Sequence, residues 1–126
     1  MASQNLACVK KAWQRLEREG HASGMEALFE HCHPECVFRP AASRGEVLNG
    51  VETARTFFRK QRNAGGDIKV SAYSFRDKGD SVEVLGWIRL IRPEGGMSDS
   101  QGRWVYRFND GQIVEADYSP ATAPVA

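Results

Sequence analysis

The sequence has little that would tie it to a polyanion, a membrane or an oxidising compartment. Its 17 Lys and Arg stand against 16 Asp and Glu, a formal net charge of +1, so no global field draws nucleic acid or anionic lipid towards it. Apolar runs extend for only a few residues, and Lys10, Lys11, Arg15 and Arg18 interrupt the N-terminal segment before it could act as a signal or membrane span. Cys8, Cys32 and Cys36 are odd in number and too few for a disulfide scaffold. The expectation is a cytoplasmic protein with neither a nucleic-acid nor a membrane partner. Internal repeats, low-complexity tracts, a phosphate-binding glycine motif and a Gly-x-Ser-x-Gly elbow are also missing, and with them the usual signatures of nucleotide loops and serine hydrolases.

What the chain does carry is one change of hydrophobic period. Its 126 residues suit a single domain, expected over 1–119 with a frayed Ala- and Pro-rich tail over 120–126. Leu6, Val9, Ala12, Trp13 and Leu16 recur at helical spacing, which predicts an amphipathic helix from Leu6 to Glu19 ended by Gly20. Ser23 and Glu26 match a capping box for a second, short helix reaching His33 before Pro34. Asn49 and Glu52 repeat that arrangement ahead of a third helix containing Val51, Ala54, Phe57 and Phe58, closed by Gly65 and Gly66. An extended piece, Cys36 to Pro40, precedes a loop to Gly50.

After Gly66 the period drops to two, and β-branched and aromatic residues alternate between turn signals. Four strands are expected, at about Ile68–Arg76, Ser81–Ile91, Ser98–Phe108 and Gln112–Ser119, each antiparallel to the next because the connections are short. Helices gathered first and strands last exclude a doubly wound parallel sheet and leave an α+β packing. In the second of these strands Val82, Val84, Gly86, Ile88 and Leu90 form one apolar phase, with the glycine marking a bend or bulge that would curve the sheet.

Five segments then carry a resemblance: Val9-Lys10-Lys11-Ala12-Trp13, His33-Pro34-Glu35-Cys36-Val37-Phe38, Asn49-Gly50-Val51-Glu52, Lys78-Gly79-Asp80-Ser81-Val82 and Phe108-Asn109-Asp110-Gly111-Gln112-Ile113. In this order the chain resembles the nuclear transport factor 2-like superfamily, in particular its SnoaL-like branch. The resemblance implies a cone-shaped fold, a curved mixed or antiparallel sheet packed on three N-terminal helices around a pocket, and often a homodimer through the outer sheet face. It implies no single reaction, since isomerases, epoxide hydrolases, dehydratases, cyclases and non-catalytic members share the fold.

The positions that carry chemistry in ketosteroid isomerases fall at Trp13, Trp104 and Arg39, and none of these can titrate near neutrality. Two of the three epoxide hydrolase positions fall at Gly86 and Ile88, so that set is missing as well. Asp117 lies near the third, with the register open between Asp117 and Tyr118 facing inward. A carboxylate inside an apolar cavity would suit acid–base work, and the competing arrangement is an exposed carboxylate paired with an arginine such as Arg107. Trp104, Tyr106 and Phe108 share one strand phase and are expected to join Trp13, Phe38 and Phe58 around the pocket, or else to fill it.

The opposite phase, Leu85, Trp87, Arg89 and Ile91 with Val105, is too apolar for a solvated face and is expected to form the homodimer contact. Arg39 and Arg89 are weaker candidates for holding a ligand carboxylate. His31, Cys32, His33 and Cys36 lack the spacing of a zinc site, so no metal and no cofactor is expected. His21, in a Gly-flanked loop, carries no signal of its own.

The expected function is binding of a small apolar or aromatic molecule. Trp13, Phe38, Phe58, Ile88 and Trp104 would contact it, and Asp117, Tyr106 and Tyr118 would serve any isomerase, cyclase or dehydratase chemistry on a cyclic or polyketide-like substrate. The alternative is a non-catalytic dimeric accessory domain with a filled pocket.

Overall fold

A computed structural model describes residues 3–43 and 45–121. Ser3 caps the first helix, α1 (Gln4–Glu19), by accepting the Leu6 amide at 3.0 Å, and Val9, Ala12, Trp13 and Leu16 turn inward. Helix α2 (His21–Phe29) follows directly after Gly20. Strand β1 (Cys32–Arg39), a 3-10 turn (Ala41–Ser43) and the short β2 (Leu48–Asn49) lead to α3 (Val51–Asn63). The meander is β3 (Asp67–Asp77), β4 (Ser81–Ile91), β5 (Met97–Asn109) and β6 (Gln112–Pro120). The sheet order is β2-β1-β6-β5-β4-β3, with β1 parallel to β6 and the remaining neighbours antiparallel, so the sheet is mixed and open.

The α+β class, the helices and the meander match the expectation, and the local starts and stops differ where tertiary contacts win. Helix α2 ends four residues before His33 because the chain is captured by the sheet: Ile113 donates its amide to His31 O at 2.8 Å and Cys32 pairs with Ile113. Neither predicted capping box forms. Ser23 sits inside α2 with its hydroxyl between Arg15 and Glu19, Asn49 lies in β2, and the caps of α2 and α3 are Gly20 and Gly50. Glu26 and Glu52 instead both hold Arg55. At the other end Pro120 belongs to β6, opposite Gly102, Ala121 donates its amide to Gln101 O at 3.0 Å, and residues 122–126 of the predicted tail lie outside the described residues.

The core lies between the helices and the inner sheet face, where Val9, Trp13, Leu28, Val82, Val84 and Ile113 are fully buried. Gly86 was expected to mark a bulge, and the bulge is in its neighbour: Ala72 pairs with Gly86 and Ser74 with Leu85, leaving Tyr73 as the extra residue on β3. A side chain at 86 would meet the Ser71 carbonyl oxygen at 2.3 Å, so the glycine is what lets the bulged strand come close. A second bulge, at Val114 on β6, shifts the register between the Phe108–Ile113 and Arg107–Glu115 pairs.

Candidate functional site

The inner face of β5 and β6, after the Val114 bulge, pairs Tyr106 with Ala116 and Trp104 with Tyr118. The bulge thereby answers the open question of register, because one extra residue reverses which side chains face inward. Tyr118 takes the inner phase, its ring 5.3 Å from that of Trp104. Asp117 takes the phase of Val105 and Arg39, its partners on β5 and β1, and its Oδ1 accepts from Arg39 Nη1 at 2.6 Å. The pair is partly exposed at the pocket rim, and the carboxylate raises the Arg39 guanidinium still further by hydrogen bond and charge. Arg107, the partner expected for Asp117, is paired with Glu115 instead.

Between this face and the helices lies a cavity of about 60 Å³. That is room for a few water molecules at ~10–15 Å³ each, and less than half of the roughly 150 Å³ that admits a benzene ring, so the aromatic side chains fill most of the space between the layers. Trp13 from α1, Phe38 from β1, Phe58 from α3, and Trp104, Tyr106 and Tyr118 from the late strands all line it, and Asp117 reaches its rim. Ile88 is buried on the inner face of β4 but stands outside this wall; its cross-strand partner Val70, with Ile68, takes that place. A wider cleft of about 290 Å³ lies between the 3-10 turn, α3 and the β4–β5 turn, with Glu46 and Arg92 in a largely polar wall.

The rings meet edge to face. Trp13 is 4.8 Å from Trp104 and 6.4 Å from Phe75, at steep interplanar angles, an arrangement that fixes the indole from two sides. Its Nε1 donates to Tyr106 Oη at 3.0 Å in a buried hydrogen bond. Burial pushes the Tyr106 phenol well above its ordinary pKa, against a smaller opposing effect of the Trp13 N–H, so it stays protonated. Gly102, opposite Gly86 on β4, leaves space for the rings: a Cβ there would lie 2.5 Å from Tyr118 and 2.9 Å from Trp104.

His21, which carried no signal in the sequence, lines the same cavity at the start of α2, its ring 4.9 Å from Phe58. Burial lowers its pKa from 6.5 to about 4, with Asp67 opposing and Arg62 adding to the shift, so the imidazole is neutral near pH 7. Its ring can donate or accept a hydrogen bond according to tautomer. A Gly-His-Ala opening of a helix does not announce this placement; it follows from the crossing of α1 and α2.

The other candidates do not converge on the cavity. Arg89 is paired with Asp99 on the outer face. Cys32 Sγ bonds the Leu28 carbonyl oxygen and His33 Nδ1 accepts the Glu35 amide. Among the described residues no three His, Cys, Asp or Glu side chains gather as a metal site, and no helix is long and apolar enough to cross a membrane.

An open, curved sheet closed on one side by three helices, with an apolar cavity between the layers, defines the cone-shaped class to which the sequence motifs pointed. The chain belongs to the SnoaL-like domain family, whose sequence profile matches residues 11–116. No curated protein matches it by sequence. Among solved structures it is similar to an NTF2-like protein of unknown function from Burkholderia pseudomallei (17% identity, TM-score 0.75, covering 95% of this chain and 92% of that one). A protein of unknown function with a cystatin-like fold from Xanthomonas campestris is alike at 18% identity and TM-score 0.75, with the same coverage of 95% and 92%. TerC, co-crystallised with polyporic acid, is alike at 14% identity and TM-score 0.74, covering 94% of this chain and 92% of its own. At these identities the likeness is one of fold.

Proposed function

We propose that this chain binds a small, largely apolar cyclic molecule, seated ring-first between the helices and the concave face of the sheet. The observation that carries the proposal is an apolar cavity walled by aromatic edges, with the buried Tyr106 phenol as a polar anchor; at about 60 Å³ it must widen for a ring to enter. TerC, of the same fold, was co-crystallised with an organic acid, polyporic acid, which supports a ligand-holding role for such a cavity. The cysteines of the described residues are all free thiols, in keeping with a cytoplasmic protein. Its partner across the outer face would be a second copy, meeting it through Leu85, Trp87, Arg89, Ile91 and Val105; Trp87 is 52% exposed there.

Cofactor-independent acid–base chemistry, of isomerase, cyclase or dehydratase type, is the catalytic form of this function. It draws on the Tyr106 and Tyr118 phenols, which line the cavity with neutral His21 and can hydrogen-bond a substrate there. Asp117 would then act from the rim, together with Arg39. The contrary reading, an accessory domain with a filled pocket, draws on the close contacts among Trp13, Trp104 and Tyr118.

Native mass spectrometry of gently purified protein decides between them. A bound small molecule is expected in the wild type. It should be lost in Ala41→Phe, which places a ring between the cavity and the outer cleft that Ala41 also lines. A wild-type protein that holds nothing, and whose tryptophan fluorescence responds to no small cyclic compound, would end the proposal.

A further inference from the structure

We infer that the groove between α2 and α3 is a second binding site, one that takes an oxyanion, a carboxylate or a phosphate monoester, carried on a short apolar stem. Helix α3 sets Arg55, Arg59 and Arg62 at intervals of four and three residues, so the three guanidinia emerge on one face. They share with α2 a pocket of about 140 Å³ whose floor is the buried side chains of Met25, Phe29 and Phe58. Met25 and Phe58 also line the inner cavity and form the partition between the two spaces. The groove is thus a site of its own, and its occupancy does not depend on a ring being bound within.

Unbalanced charge singles this pocket out. Its lining holds three guanidinia and one carboxylate, Glu26, which is already bound to Arg55 at 2.9 Å. Arg55 is satisfied: Glu52 also accepts from it, and its guanidinium lies 5.3 Å from the centre of the Phe29 ring. Arg59 and Arg62 are not. Among the described residues no carboxylate pairs with either, and Arg59 Nη2 donates to the Thr56 hydroxyl at 3.4 Å. Elsewhere the chain matches arginines with acids, as in Arg15–Glu19, Arg39–Asp117 and Arg89–Asp99. Arg18 and Arg92 also lack a carboxylate, but neither lines this pocket. The negative end of the α3 dipole favours the cations of its last turn, Lys60 and Arg62, whereas Arg59 precedes that turn. Like charges one helical turn apart repel, and an anion lying across Arg59 and Arg62 would remove the repulsion. Planar guanidinium forks suit carboxylate and phosphate oxygens alike. The pocket volume is close to the ~150 Å³ that holds benzene, which leaves room for a stem of a few carbons over Met25 and Phe29.

The probes are pentanoate, butyl phosphate and pentanamide, the last matching pentanoate in shape without its charge. Titrated at low salt into the isotope-labelled full chain, pentanoate should shift the backbone amide resonances of α2 and α3 saturably. It should bind about three- to ten-fold more tightly than pentanamide. That preference should fall in Arg59→Gln and in Arg62→Gln, whose side chains are exposed and leave the core intact. Lys60→Gln removes an equal charge from the same helix outside the pocket, and should keep the preference. Tighter binding of butyl phosphate would assign a phosphate monoester, and tighter binding of pentanoate a carboxylate; either sustains the inference. Equal binding of pentanoate and pentanamide, the absence of any saturable shift, or as large a loss in Lys60→Gln as in Arg62→Gln overturns it. None of these results bears on the inner cavity, whose guest would be read from tryptophan fluorescence.

Discussion

The two faces of β4 and β5 bury polar groups in opposite ways. On the inner face the buried Tyr106 hydroxyl is paired with one neutral donor, Trp13 Nε1, in a core of apolar side chains. On the outer face Glu83, 3% exposed, is ringed by Arg103 at 2.6 Å, Lys78 at 3.6 Å and Arg76 at 3.8 Å. The three cations stay half in water while their long stems cover the carboxylate, a division of labour open to Arg and Lys side chains. Neutral pairing keeps the inner face free of fixed charge and fit for an apolar guest. Ionic pairing lets the outer face hold a buried charge beside exposed Trp87 without leaving it uncompensated.

The contrast can be broken from the inside with the largest effect. Trp13→Ala removes an indole packed against Trp104 and Phe75 together with the donor of Tyr106, and should cost about 3–5 kcal/mol of stability, read from urea unfolding. On the outside, Glu83→Gln strips the shared partner from three cations and should cost ~1–3 kcal/mol. Because each cation is about half exposed or more, Arg76→Ala alone should cost less than about 0.5 kcal/mol. If Glu83→Gln were as mild as Arg76→Ala, the outer arrangement would be ordinary surface pairing.

A pH-dependent effect sharpens the inner side. His21 has a folded pKa of about 4 against 6.5, so between these values the unfolded chain takes up a proton that the folded chain refuses. Its contribution is therefore complete above pH 6.5 and is lost as the pH falls through about 4. The stability difference between wild type and His21→Phe should shift by about 3 kcal/mol across this window, with the wild type losing ground as acid is added. A difference that does not vary with pH would mean that the imidazole is hydrated and outside the cavity wall.

Period and order alone disclosed the helices, the meander and the inner phase of β4, because each is written in local residue spacing. The caps did not follow, since Ser23 and Asn49 were drawn into a side-chain contact and a strand pairing formed with distant residues. Asp117 and Tyr118 were ambiguous for a related reason. Their facing depends on the Val114 bulge, and the Ile113-Val114-Glu115-Ala116 run shows no glycine or proline to announce it. Strand phase pointed to Trp104 and Tyr106, which line the cavity, and to Phe108, which is buried in the core outside the lining, whereas His21 was missed because its placement depends on how two helices cross.

The size of the cavity is governed in part by a residue that is not in its lining. Gly102 stands outside the wall, yet even one methyl group on it would collide with both Tyr118 and Trp104 and force a ring to move. Relatives with the same lining could therefore differ in the bulk of guest they admit through this position alone. Comparing lining residues only would overlook the difference.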